Sequence, residues 1–267
     1  MFPLNATTLP SSATALERLL NDSLRSLFLT KTDPVALRAA AYPHLDDLHI
    51  ALDGATLRDN PPPPPAISSP ETPALEIDSL KINAVALSAG PAVLDLSLSA
   101  QNVILHQAAD SAGNIVLVLH RAADGAIAIS ASRSDLEAAI AEVAKIEAGR
   151  HGVTIDGVQL RLRSRSSRSL GAEVRLRARK LFLSATIRIT GQLDLDEELN
   201  ARISGLDCLG EGTIAGVACG VLKPHLQKLD GRSFPLMSLP LGEVRLRDVQ
   251  LDAGDKLSVT AHFGTAT

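Results

Sequence analysis

Tryptophan is absent, tyrosine occurs once, and aromatic residues make up 2% of the 267 positions. A core must therefore be built from Leu, Ile, Val and Ala, and the aromatic platforms on which single-stranded nucleic acids stack are missing. The formal net charge of −4 also argues against a general nucleic-acid binder, so no nucleic-acid partner is expected. Cys208 and Cys219 are the only cysteines. Two are too few for a disulfide framework or a structural zinc site, so the pair reads as small core residues in a reduced chain. No apolar run approaches the ~20 residues of a membrane span. The segment from Met1 to Thr8 has neither a positive n-region nor an apolar h-region, which reads as no signal peptide and predicts a cytoplasmic location. A G-x-S-x-G elbow, an H-E-x-x-H pair, a P-loop and a paired-cysteine motif are all missing. The expectation is a protein without enzymatic activity, cofactor or metal.

What is present is aliphatic periodicity. Leu183, Ala185, Ile187 and Ile189 alternate with Ser184, Thr186, Arg188 and Thr190, the period-two pattern of a strand with one face turned from water. A single strand from Leu181 to Leu195 would be about 50 Å long at ~3.3 Å per residue, and a strand of that length has to twist and bend. Gly205 to Gly212 reads as a glycine-rich joint. Ile214, Val217, Val221, Leu222, Leu226 and Leu229 then recur at helical spacing as far as Gly231. Gly212, Gly216 and Gly220 form a row at four-residue spacing that suits close approach to a neighbouring element. Pro224 predicts a kink or a restart of that helix.

Earlier in the chain, Ser11 to Leu29 predicts a first helix, with Thr14 and Glu17 as a capping box and Leu16, Leu19, Leu20, Leu24, Leu27 and Phe28 on one stripe. Asp33-Pro34 reads as the opening of a short helix through Ala41. The stretch from His44 to His49 carries two His and two Asp, but Leu48, Ile50 and Leu52 alternate, so a solvated strand edge is preferred over a metal site. Residues 60–73 include five consecutive prolines and read as a polyproline surface linker. From Leu75 onward the pattern is a meander of antiparallel strands. It has a phase slip near Leu80, turns at Gly90-Pro91 and Ala112-Gly113-Asn114, and a hairpin at Asp124-Gly125. Ser134 and Glu137 read as the capping box of a second helix whose apolar face is Leu136, Ala139, Ile140, Val143 and Ile146. Further strands follow over 153–163 and 174–179, with a bulge or a very tight turn at Lys180-Leu181. A closing hairpin spans 243–263.

Charge is unevenly distributed. Arg161, Arg163, Arg175, Arg177 and Arg179 fall on the face away from the aliphatic residues of their strands. They read either as a solvated sheet face that discourages edge pairing or as a ribbon for anionic phosphate on lipid headgroups or a membrane surface. The glycines from Gly210 to Gly216 follow G-x-G-x-x-x-G and lack the parallel-strand context of a dinucleotide site.

The order from Ser134 to Phe263 runs capped helix, "VTIDGVQLRLRS", "RKLFLSATIRITGQLDLDEELNARISGLDCLGEG", a glycine-spaced helix ending "LKPHLQKLDGRSFPL", then "LGEVRLRDVQL" and "LSVTAHFG". This resembles the bacterial LmeA-like phospholipid-binding family of the tubular lipid-binding (TULIP) proteins, over roughly the last half of the chain. The resemblance implies an α+β fold forming a single domain over 1–267. In it a long, strongly curved antiparallel sheet wraps around one or two long helices and encloses an apolar groove for acyl chains.

Two functions fit the same residues. In the first, Leu136, Ile140, Val143, Leu183, Ile187, Ile189, Ile214, Val217 and Val221 line a groove that binds or transports the acyl chains of a phospholipid or fatty acid. The Arg ribbon then meets a headgroup or makes transient contact with an anionic membrane. In the second, those faces form a closed core and the protein is a scaffold whose Arg ribbon or proline run docks a partner.

Overall fold

The computed structural model describes residues 2–63, 65–150, 152–180, 183–235 and 243–265. Strands account for 59% of the chain and helices for 18%. The longest helices have 17 residues, about 26 Å at 1.5 Å per residue. The expected sheet wrapped around long helices is therefore not the fold: the helices are short and the sheets are open. The reason lies in the local stop signals. The second helix is bounded by Ser132 and Arg150, and the third by Gly212, at φ 100°, and Asp230. Most of the remaining chain is taken up by strands, three of them 18 residues long.

The first sheet is built on β6 (Thr72–Ala89), β7 (Ala92–Ala109) and β8 (Ile115–Ser132), paired antiparallel as the meander predicts. The phase slip expected near Leu80 is not there: the register runs unbroken from Leu75 to Ala84, and the bulge falls between Ala84 and Leu87, with Ala86 at φ 55°. Beyond β8 lie β15 (Lys256–Thr265) and β14 (Val244–Ala253), the predicted closing hairpin. On the other side β6 pairs with β4 (His44–Ala51), which pairs with β3 (Val35–Arg38). Short strands β1 (Phe2–Pro3), β2 (Phe28–Leu29) and β5 (Thr56–Leu57) complete this sheet.

Two expectations fail on this side. Residues 35–38 are a strand, not a helix: Asn21 Oδ1 accepts the Val35 amide at 2.9 Å, and Val35 to Arg38 pair with β4. β4 lies inside the sheet, parallel to β6, so the proline run belongs to the crossover that a parallel pair requires. Helix α1 (Ala13–Leu27) packs Leu16, Leu20 and Leu24 into the main core, and its cap is Ser12, whose side chain accepts from Ala15, not Thr14.

Asp124-Gly125 is not a turn. Gly125 lies within β8, and a Cβ there would overlap the Phe263 ring and sit 2.9 Å from the Ser99 carbonyl. Among the described residues, Phe263 is the one buried phenylalanine of the main core cluster, and this glycine makes room for it. Gly125→Ala should lower unfolding stability by about 1–3 kcal/mol, as overpacking does, measured by urea denaturation. Phe263→Leu in the same background should recover part of that loss.

The second sheet has the order β13-β12-β11-β10-β9: β9 (Thr154–Ser166), β10 (Ser169–Lys180), β11 (Leu183–Leu195), β12 (Asn200–Glu211) and β13 (Ser233–Pro235). Leu181 and Phe182 lie outside the described residues, but Lys180 pairs with Leu183, so the phase flip is a hairpin. The expected glycine joint at 205–212 is mostly β12 itself. Gly191 leaves space for Leu206, whose Cδ2 a Cβ would approach to 2.7 Å. Gly210 lets β12 meet Ala215 of α3 (Thr213–Leu229), whose backbone carbonyl a Cβ would approach to 2.9 Å. A Cβ added at Gly216 or Gly220 would meet nothing within 4 Å among the described residues, so the predicted glycine row is not a packing seam. α3 continues through Pro224.

The sheets meet where the Leu251 and Ala253 amides of β14 donate to Ser167 O and Ser164 Oγ, at 2.7 and 2.9 Å. Leu170, Leu195, Val249, Leu251 and Ala261 bury the junction. No helix among the described residues is long and apolar enough to cross a membrane.

Candidate binding groove

Alternation along β10 places Leu170, Ala172, Val174, Leu176 and Ala178 on one face of the second sheet. Leu170 is covered at the sheet junction. The rest of the face is spanned by two helices, α2 (Arg133–Gly149) over β9 and α3 over β11 and β12. Between helices and sheet lies a cavity of about 950 Å³. The sheet contributes Ile155, Val174, Leu176, Ala178, Ile187 and Ile189 to its lining; α2 contributes Ala139, Ile140, Val143, Ala144 and Ala148, and α3 contributes Ala218 and Leu222. Glu147 and Lys180 are the charged lining residues among those described.

α2 is set by two contacts. Ser132, not Ser134, caps it by accepting the Asp135 amide at 3.0 Å. Glu137 carries no capping role; its carboxylate accepts the Leu160 amide at 2.7 Å and ties the helix to β9. No residue of α2 is buried, and Val143 and Ile146 are 53% and 55% exposed. An apolar helix face on which Leu136, Ile140 and Ala144 reach only partial burial stands over a void instead of a filled core.

α3 is held differently. Ala215 and Cys219 are its buried side chains among those described, and Cys219 forms a disulfide with Cys208 of β12. The expectation of two reduced core cysteines is corrected: both are buried, and they are bonded to each other. Alternation on β12 and helical phase on α3 bring the two Cα atoms to 5.5 Å, within the bridging range.

Of the residues expected to line a groove, Ile140, Val143, Ile187 and Ile189 do so. Leu136 is half-buried on α2 but does not line the cavity, and Leu183 is 50% exposed at the start of β11. Ile214, Val217 and Val221 lie on α3, and their side chains are outside the described residues. Sequence reasoning misses most of the remaining lining, including Ile155, Val174, Leu176, Lys180, Ala144 and Ala218. Lys180 carries a readable signal, since it continues the groove-facing phase of Val174, Leu176 and Ala178.

The Arg ribbon does not line the groove. Arg175 lies opposite Arg188 and Gln159, and Glu173 opposite Arg161, on the face turned away from Val174 and Leu176. Part of this charge is internally paired: Arg175 Nε donates to Glu173 at 2.7 Å and Arg179 donates to Asp156 at 3.2 Å. Arg161, Arg163 and Arg177 belong to this same outer face. At the far end of the sheet, hydrogen bonds from Ser169 and Gln192 hold the Asp194 carboxyl below the usual range and fasten β10 to β11.

No protein-family model, curated protein or solved structure matches this chain.

Proposed function

We propose that this protein binds lipid acyl chains, without catalysis, in the groove between α2, α3 and the second sheet. The observation that carries the reading is the cavity of about 950 Å³ beneath a helix that buries no residue. Its size falls at the upper end of the ~300–1,000 Å³ typical of small-molecule sites. Apart from Glu147 and Lys180 the described lining side chains are aliphatic. A peptide laid there would leave amides unpaired, whereas a methylene chain has none to satisfy. Burial at ~0.8 kcal/mol per CH₂ makes ten methylenes worth about 8 kcal/mol before ordering costs, which sets roughly micromolar as the upper limit of affinity from those methylenes alone. Lys180 at the rim offers a cation to a carboxylate or phosphate head. The Cys208–Cys219 disulfide favours an oxidising compartment over the cytoplasm expected from the sequence.

The test is native mass spectrometry of the purified protein, with organic extraction of whatever it releases. A co-purifying fatty acid or phospholipid, or a one-to-one adduct on adding palmitate or phosphatidylglycerol, is the expected result. A clean protein mass with no adduct from either lipid would sink the proposal and leave the scaffold reading.

A further inference from the structure

Away from the groove, the first sheet brings together a histidine pair and two carboxylates that the groove does not use. His106 of β7 and His120 of β8 stack with ring centroids 3.8 Å apart and planes 12° from parallel. Their side chains are 15% and 31% exposed. A bulge makes this possible: Ile104 pairs with Arg121 and Leu105 with Leu119, leaving His120 as the extra residue. Bulges of this kind re-aim a side chain and are concentrated beside functional sites.

Two carboxylates flank the stack. Glu71 Oε2 lies 3.6 Å from His106 Nδ1, and Glu243 Oε1 lies 3.8 Å from His120 Nε2. Both are anchored by their backbone surroundings. Glu71 follows Ser68 and Ser69; the Ser68 amide donates to Ala109 O at 2.8 Å, and Ser69 Oγ accepts the Ala109 amide at 2.7 Å. The Glu243 amide donates to His120 O at 2.9 Å. Donor atoms of Glu71, His106 and His120 all lie within 4.8 Å of one another.

We propose that Glu71, His106 and His120 bind one divalent first-row transition-metal ion of the Zn²⁺ type, one imidazole turning out of the stack so that both in-plane lone pairs meet the ion, with a fourth position left open. The spacing is the argument. Carboxylate–imidazole distances of 3.6 and 3.8 Å are too long for hydrogen bonds. The Glu71–His106 separation is close to the ~3.4 Å between neighbouring donors of a tetrahedral ion with ~2.1 Å bonds. Two imidazoles and one carboxylate are a ligand set suited to Zn²⁺ and its neighbours, not to Ca²⁺ or Mg²⁺. The other His–carboxylate cluster, His44 with Asp46 and Asp78, is already closed on itself. His44 Nε2 meets Asp78 at 3.1 Å, and Asp46 accepts the Ala40 amide at 3.0 Å.

The experiment titrates Zn²⁺ into the chelator-stripped full chain by calorimetry and follows Co²⁺ substitution by visible absorption. One ion per chain is expected. His106→Asn and His120→Asn should each weaken binding by at least ~100-fold, since even outer-shell partners of a metal cost 10–100-fold. His44→Asn should leave it unchanged. Glu71→Gln alters an exposed side chain, so it reads ligand loss even where a histidine variant folds poorly; it should weaken Zn²⁺ and change the Co²⁺ spectrum. Absence of stoichiometric binding overturns the proposal, as does binding that survives Glu71→Gln and both histidine substitutions, or that only His44→Asn removes.

Discussion

Replacing Ala144 and Ala218 with phenylalanine should cost at least ~100-fold in acyl-chain affinity, about 2.7 kcal/mol, while leaving the protein as stable as before or more so. The two alanines face the cavity from α2 and α3, so the added rings enter space that none of the described lining side chains fills. Insertion into a packed core behaves in the opposite way, forcing off-rotamer side chains and costing about 1–3 kcal/mol. Two measurements on one variant therefore separate the two accounts of this apolar face. Lost binding of a fluorescent fatty acid with an unchanged or raised melting temperature is the outcome of an open groove. A lowered melting temperature, with no binding by the parent protein, is the outcome of a core that closes in solution. Lys180→Ala is the companion change: it leaves the aliphatic lining intact and should weaken a fatty acid more than the corresponding alcohol.

The second large effect is loss of the disulfide. Cys208 and Cys219 are 11 residues apart, and closing a loop of that size is worth about 3 kcal/mol in the chain-entropy account. At the usual scaling for a chain of this size, that lowers the melting temperature by roughly 6–12 °C. The larger consequence is local. α3 buries two small side chains among those described, Ala215 and Cys219, and its N-terminal Gly212 makes no side-chain cap. Without the bond, little among the described side chains besides Ala215, Ala218, Leu222 and Leu226 holds the helix over the sheet. Cys208→Ser with Cys219→Ser, or a strong reductant on the parent protein, should raise amide exchange through 213–229 and weaken acyl-chain binding, with α1 and the first sheet unaffected. Unchanged exchange in α3 would show that side-chain packing alone seats it.

Much of the fold is written in local pattern. The faces of β9, β10 and β11 follow from strict alternation, and α1 and the β14–β15 hairpin from apolar periodicity and turn residues. The capping boxes expected at Thr14 and Ser134 each fall two residues late, because serines at 12 and 132 compete for the same role and win it. Glycine misleads twice for one reason. Gly125 and Gly210 resemble turn residues in sequence, and each instead serves an atom contributed by a distant or following element, Phe263 or Ala215. Nothing in the turn-like pattern around either glycine names that partner.

Which side chains turn away from water is settled by neighbouring residues, since alternation and helical phase are local properties of the chain. What those faces meet is settled by long-range pairing. An apolar strand face looks the same whether another element seals it, as β14 and β15 seal Leu170, or stands off it, as α2 does from Val174 and Leu176. The same holds for the cysteines and for the pairing of His106 with His120. Whether such residues are solitary or joined depends on strand register and on a single bulge, and register is fixed by segments far apart in the chain.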